Sequence, residues 1–147
     1  MDHHETISTA GQDWIEMVDD GFIRLVGPFY QKGEGTSLRF RFPTADKHRN
    51  RRGVLQGGAL MTFTDRVLGT AARAGRQTEL TATMHMDMHF LDVVEIGEIV
   101  ETCPVVVRAT EKSIFVRADL MVGTRVVAMA AGIWKRLGQR APNLTVS

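Results

Sequence analysis

Between His48 and Gly69 the chain gathers residue types that acyl chemistry uses: two primary amides, Asn50 and Gln56, a glycine pair, Gly57-Gly58, and one carboxylate, Asp65. Gly57 leads into an apolar run, Ala59 to Ala74, in which Leu60, Phe63, Val67, Ala71 and Ala74 recur at intervals of three and four. That is the period of a helix of about five turns with a broad buried stripe, closed by Gly75. The first N–H groups of such a helix have no partners and lie at the positive end of its dipole, so an oxyanion forming there is stabilised. Glycine lets a carbonyl come close, and Asn50 and Gln56 flank the position with N–H donors. Asp65 lies eight residues on, about 12 Å along the axis at 1.5 Å per residue. One carbonyl cannot be held at Gly57 and attacked from Asp65 of the same chain. If both act on one atom, the carboxylate comes from a second, antiparallel copy of the helix across a two-fold axis, which gives two sites per dimer.

Other constellations are weaker. The chain has no Gly-x-Ser-x-Gly elbow, Walker loop or Gly-x-Gly-x-x-Gly. Cys103 falls in an apolar run, taken as a strand, with no neighbouring base, which argues against cysteine catalysis. His85, Asp87 and His89 share one strand face and could converge on a metal, but a polar outer sheet face explains them as well, so no metal is expected. Lys47, Arg49, Arg51 and Arg52 form a basic knot around His48. Arginine grips phosphate through a planar fork, so the knot suits a phosphorylated small molecule, a solvated loop or a nucleic-acid contact. With 18 basic residues against 17 acidic and a net charge of +1, no global field draws the chain to nucleic acid or a membrane surface.

The elements that must position these groups come from patterning over 147 residues, a length that favours one domain. A short helix is expected through Trp14, Met17 and Val18, capped by Ser8 or Thr9 and stopped by Gly21. Phe22 to Tyr30 is expected as a strand ending at Pro28, and Leu38, Phe40 and Phe42 alternate with polar residues as a second strand. After the long helix, Leu80 to Leu91 alternates, with Met84, Met86, Met88 and Phe90 on the face expected to pack on the helix. Ile99 to Val107, Ile114 to Met121 and Val126 to Trp134 are further β-branched runs. A helix stripe this broad has to lie across the concave face of a sheet, so the class is α+β with about six strands, a core over about 10–136 and a loose tail at 137–147. Met1 to Glu5 lacks the basic start and apolar run of a secretory signal, and a cytoplasmic protein is expected.

The segment His48-Arg-Asn50-Arg-Arg-Gly53-Val-Leu-Gln56-Gly57-Gly58, followed by Asp65 and Gly69-Thr-Ala-Ala72, resembles the H-x-N-x-x-G-x-x-H-G-G…D…G-x-A signature of hotdog-fold acyl-CoA thioesterases of the phenylacetate-pathway (PaaI-like) type. The resemblance covers nearly the whole chain. It implies a long central helix wrapped by a curved antiparallel sheet, a homodimer with a continuous sheet, often a dimer of dimers, and hydrolysis of an acyl-CoA without metal or redox cofactor. It assigns Asp65 as nucleophile or general base, the Gly57 N–H to the oxyanion, and Asn50 to placing the substrate or the attacking water. Thr83 is where relatives carry a Ser or Thr that assists the aspartate. Gly58 belongs with the substrate-binding positions, and Arg108, Lys112 and Ser113 align with a hairpin that meets the coenzyme A nucleotide. Gln56 departs from the usual His: an amide donates a hydrogen bond but cannot protonate a thiolate. That departure motivates the alternative of a hotdog protein that binds acyl-CoA as a sensor or carrier.

Overall fold

The computed structural model describes residues 13–74, Arg76 and Glu79–Gln139. The elements in chain order are β1 (Ile15–Glu16), α1 (Gly21–Val26), β2 (Tyr30–Lys32), β3 (Arg39–Pro43), α2 (Gly57–Ala72), β4 (Glu79–Phe90), β5 (Ile99–Thr102), β6 (Val105–Ala109), β7 (Ser113–Val122) and β8 (Arg125–Gln139), with single 3-10 turns at Gly35–Ser37 and Asp46–His48. All strands pair antiparallel in one sheet of order β1-β2-β3-β5-β7-β8-β4, and β6 pairs β7 beside β5. One long helix held against a large antiparallel sheet is the hotdog architecture. The sheet has eight strands instead of six because the expected run Ile99 to Val107 breaks at Cys103-Pro104 into β5 and β6, and short β1 adds to one edge.

The periodicity of α2 is realised in packing: Leu60, Phe63, Val67, Leu68, Ala71 and Ala72 are buried in the main core. Phe63 sits in an aromatic cluster, with Phe29 at 5.1 Å and Phe42 at 5.3 Å between ring centroids. Gly69 is explained by close approach, since a β-carbon there would lie 3.3 Å from Nε1 of buried Trp134 on β8.

Three expectations are corrected. The stretch through Trp14, Met17 and Val18 is extended, and Gly21, expected as a stop, opens α1 with Asp20 Oδ1 accepting its N–H at 2.7 Å. A helix there would place Trp14 and Met17 on one face, whereas they serve different clusters. Met17 joins the main core, and Trp14 packs on Tyr30 with Lys32 and Arg41 over its ring. The expected caps Ser8 and Thr9, and the stop Gly75, lie outside the described residues. Second, the first part of the expected strand Phe22 to Tyr30 is α1, because the Asp20 cap and the left-handed Gly21 (φ +59°) start a helical turn that packs Ile23 and Val26 on the core. Third, β8 runs to Gln139, so residues 137–139 belong to the sheet; residues 140–147 lie outside the described part.

The methionine face also differs. On β4, Met84 and Phe90 are exposed, Met86 is half-buried, and only Met88 packs against the core cluster. The pairing of β4 with β8 shifts register between Leu80 and Thr81 and between Thr83 and His85, so strict alternation fails. β4 is also the last strand in the order, and no strand pairs its outer edge among the described residues. Phe63→Ala is expected to lower stability by about 3–5 kcal/mol through the cavity it leaves. Urea denaturation checks this as a lower midpoint at unchanged slope.

Candidate active site

The start of α2 is fixed by side chains from the preceding loop. His48 is buried, its ring edge-on to Phe42 at 4.7 Å. Its Nδ1 accepts the Ala45 N–H at 2.9 Å, so Nε2 carries the proton and donates it to the Val26 carbonyl. Lys47 donates to the carbonyls of Leu25 at 3.0 Å and Gly27 at 2.6 Å, closing the end of α1. Arg49 pairs with Asp46 at 2.9 Å. Half of the basic knot is therefore internal scaffolding.

Asn50 builds the next turn. Its Oδ1 accepts the N–H groups of Arg52 at 2.8 Å and Val54 at 3.3 Å, and Gly53, at φ +84°, returns its N–H to the Asn50 carbonyl at 3.0 Å. The carbonyl side of the amide is spent on the turn, which leaves the Nδ2 group as donor. Gln56 is the N-cap of α2: its Oε1 accepts the Ala59 N–H at 2.8 Å. Gly58 permits this, since a β-carbon there would stand 2.7 Å from that oxygen.

Gly57 is the first residue of α2. It lines a cleft of about 370 Å3 together with Asn50, Arg52, Leu55, Leu60 and Phe90. The cleft wall is tied across the chain by the Leu55 N–H donating to the Val94 carbonyl at 2.9 Å. The ring of Phe90 lies so close to Gly57 that a β-carbon there would be 3.4 Å from Cζ. The structure thus brings Asn50 and Gly57 into one cleft, whereas Gln56 and Gly58, at the same end of α2, line a separate pocket with Phe22, His48 and Thr62.

Asp65 stands on the exposed side of α2, outside that cleft, and its Oδ1 accepts a hydrogen bond from Thr83 Oγ1 on β4 at 2.7 Å. Arg66, adjacent in sequence, neither supports Asp65 nor faces solvent: its Nε pairs with Asp19 at 2.6 Å, and its Nη1 donates to Thr70. Asp65 and Thr83 form one pair and the Gly57 group another, on opposite halves of a single helix. Arg108, Lys112 and Ser113 lie on the β6–β7 hairpin, whose turn is closed by Thr110 Oγ1 accepting the N–H groups of Lys112 at 3.3 Å and Ser113 at 3.0 Å. Arg108 and Lys112 are exposed, Ser113 half-buried.

Cys103 is exposed at the kink between β5 and β6, not inside a strand as expected. His85 and Asp87 pair at 3.2 Å, and among the described residues no group of three His, Cys, Asp or Glu side chains is placed to hold a metal ion. No helix among the described residues is long and apolar enough to cross a membrane.

The sequence model of the thioesterase superfamily matches residues 52–129. The chain belongs to the thioesterase superfamily. The Pseudomonas aeruginosa protein named "Putative esterase PA0474" is 30% identical over 114 residues, spanning 76% of this chain and 85% of that protein. Conserved protein PA5202 of P. aeruginosa superposes with a TM-score of 0.74 at 27% identity, over 81% of this chain and 95% of its own. A Streptococcus pneumoniae hypothetical thioesterase solved with coenzyme A shares the fold, with a TM-score of 0.69 at 16% identity over 77% and 91% of the two chains.

Within this superfamily member, sequence reasoning missed two contacts at the site. Phe90 was assigned to the core, yet it walls the Gly57 cleft. Its place at the end of the alternating β4 run was visible, but not which element it would meet. The Asp19–Arg66 ion pair joins residues 47 apart in sequence, and no local pattern announces it. His48 proves to be a buried strut of the superfamily scaffold, and burial holds its pKa below the ordinary 6.5; the Val26 hydrogen bond opposes that shift and the Lys47 charge adds to it. The unfolded chain therefore binds a proton that the folded chain refuses. Stability is expected to fall as pH drops below about 6.5 and to level off beneath the folded value. Denaturant midpoints at pH 7.5 and pH 5 check this, and His48→Gln is expected to show a shallower fall than wild type.

Proposed function

We propose that the protein hydrolyses acyl-CoA thioesters at two equivalent sites in a homodimer, each built from the Gly57 end of one α2 and Asp65 of the other. The observation that carries this reading is the Thr83–Asp65 hydrogen bond at 2.7 Å, which fixes an exposed carboxylate on the helix about 12 Å from the amide suited to an oxyanion. Support for a second copy comes from β4, a strand of 12 residues whose outer edge is unpaired among the described residues, and from the exposure of its own Met84 (62%) and of Met61 on α2 (39%). Long open edges of this kind are usually covered. Support for coenzyme A comes from the superfamily and from the structural neighbour solved with it.

In this mechanism the thioester carbonyl lies in the Gly57 cleft with its oxygen on the Gly57 N–H and Asn50 Nδ2 as a further donor, while Gln56 holds the helix start beside it. Asp65 of the other subunit either attacks the carbonyl carbon or takes the proton of an attacking water, and Thr83 holds it in orientation. The C–S bond breaks, and the acyl carbon ends bonded to the hydroxyl of water. Coenzyme A departs as a thiolate that takes its proton from solvent, since Gln56 has none to give. Arg108, Lys112 and Ser113 meet the nucleotide end. The protein acts without a metal or redox cofactor and as a dimer of dimers. The competing role, an acyl-CoA sensor or carrier, differs in one readout: it binds without turnover.

Asp65→Asn is expected to lower kcat by at least about a hundredfold in a thiol-release assay with an acyl-CoA panel. Thiol release that survives this change would overturn the assignment. Gly57→Pro isolates the oxyanion donor, because proline is well tolerated at the first helical position and Gln56, at φ −73° and ψ 133°, already has the conformation a following proline requires. Loss of that N–H is expected to cost about 100- to 1,000-fold in kcat with the fold intact. Mixing the two inactive variants tests the shared site: random re-association should restore about a quarter of wild-type activity, because one site in each mixed dimer is whole. A site confined to one chain restores none.

A further inference from the structure

The basic knot leaves two cations unused by the scaffold. Lys47, His48 and Arg49 make internal hydrogen bonds or ion pairs, but the side chains of Arg51 and Arg52 make none among the described residues, and both are exposed. They occupy the tip of the Asn50–Gly53 turn. That tip is held by the Gly53 N–H at 3.0 Å, by Asn50 Oδ1 on the Arg52 N–H at 2.8 Å, and by the bridge between Arg49 and Leu55 below it. Arg52 lines the same cleft as Asn50 and Gly57. The carboxylate that shares the cleft, Asp92, is engaged by Arg125 at 3.5 Å and does not neutralise Arg52.

We propose that Arg51 and Arg52 form a phosphate subsite at the mouth of the cleft, taking phosphate oxygens of the coenzyme A half of the substrate. The proposal rests on the acyl-CoA reading above and adds a second phosphate locus to the one assigned to the β6–β7 hairpin. A rigid turn presenting two unpaired guanidinium forks fits phosphate better than carboxylate or apolar acyl chain, since each fork makes two parallel hydrogen bonds to phosphate oxygens. Location agrees with the chemistry. The thioester must reach the Gly57 amide, and the pantetheine arm then carries the phosphates outward from the cleft.

The test uses the Arg51→Gln/Arg52→Gln double variant and three substrates with one acyl group: acyl-CoA, acyl-dephospho-CoA and acyl-pantetheine. The ratio of kcat/KM for acyl-CoA to that for acyl-pantetheine is expected to fall about tenfold or more in the variant. If the dephospho substrate behaves like acyl-CoA, the pyrophosphate is the group bound; if it behaves like acyl-pantetheine, the 3′-phosphate is. An unchanged ratio overturns the subsite, above all if Arg108→Gln/Lys112→Gln moves it. Calorimetric titration with coenzyme A alone separates the two levels of the argument. Binding weakened about tenfold in the variant, in a wild type that releases no thiol, sinks the hydrolase and keeps the subsite. Equal binding by wild type and variant sinks the subsite.

Discussion

A rigid helix sets the distance on which everything else depends. Buried residues along one stripe of α2 clamp it to the sheet, so the 16 residues from Gly57 to Ala72 move as one body and the rise per residue fixes how far any two of its side chains stand apart. The end that offers free N–H groups and the turn that offers a carboxylate cannot meet within one molecule. Function on a single carbonyl then requires two helices, and the open edge of β4 beside Asp65 and Thr83 offers a surface on which a second copy could bring them together. Packing inside the chain and assembly outside it are parts of one geometric argument.

The polar residues around the helix start divide their atoms between structure and chemistry. Gln56 gives its oxygen to the Ala59 N–H, and Asn50 gives its oxygen to the turn, so each amide keeps only N–H groups for a ligand. A carbonyl or oxyanion needs donors and nothing else. Fixing the acceptor half of each amide inside the backbone pre-orients the donor half, which lowers the reorganisation needed when charge develops. His48 serves the same end from beneath: neutral and buried, it ties the loop to the carbonyl at the end of α1.

Much of this was legible in the sequence, and the failures have physical reasons. The three-and-four recurrence from Leu60 onward gave α2 to within two residues at either end, because a buried stripe constrains every turn of a helix. Phe40 and Phe42 likewise declared β3, since both are fully buried and alternate with the exposed Arg39 and the partly buried Arg41. The segment before Tyr30 misled because its apolar residues serve separate clusters, which periodicity assumes they do not. The methionines of β4 misled because an edge strand with two register shifts leaves one chain with apolar side chains that alternation assigns inward. Asp65 stood out as the one carboxylate between His48 and Gly69, and Thr83 only through the family resemblance. Their hydrogen bond arises from the pairing of β4 with β8 beneath the helix, a contact that local sequence does not encode.

If the substrate is the thioester proposed above, glutamine where the resembling family carries histidine fits the leaving group. A thiol, with a pKa of about 8.5, is a far stronger acid than water or an alcohol. Expulsion of a thiolate therefore needs no general acid, while expulsion of an alkoxide does. Neither Asn50 nor Gln56, the two amides beside Gly57, can protonate a leaving group, so on the proposed reading a thioester can collapse there from its tetrahedral state, whereas an oxygen ester would need a proton that these amides do not supply. On that reading the substitution would discriminate by chemistry instead of by fit. It also explains how a helix cap can occupy the position: once the side chain need not carry a proton, its oxygen is free to hold the Ala59 N–H, and the cap that starts α2 becomes part of the site it frames.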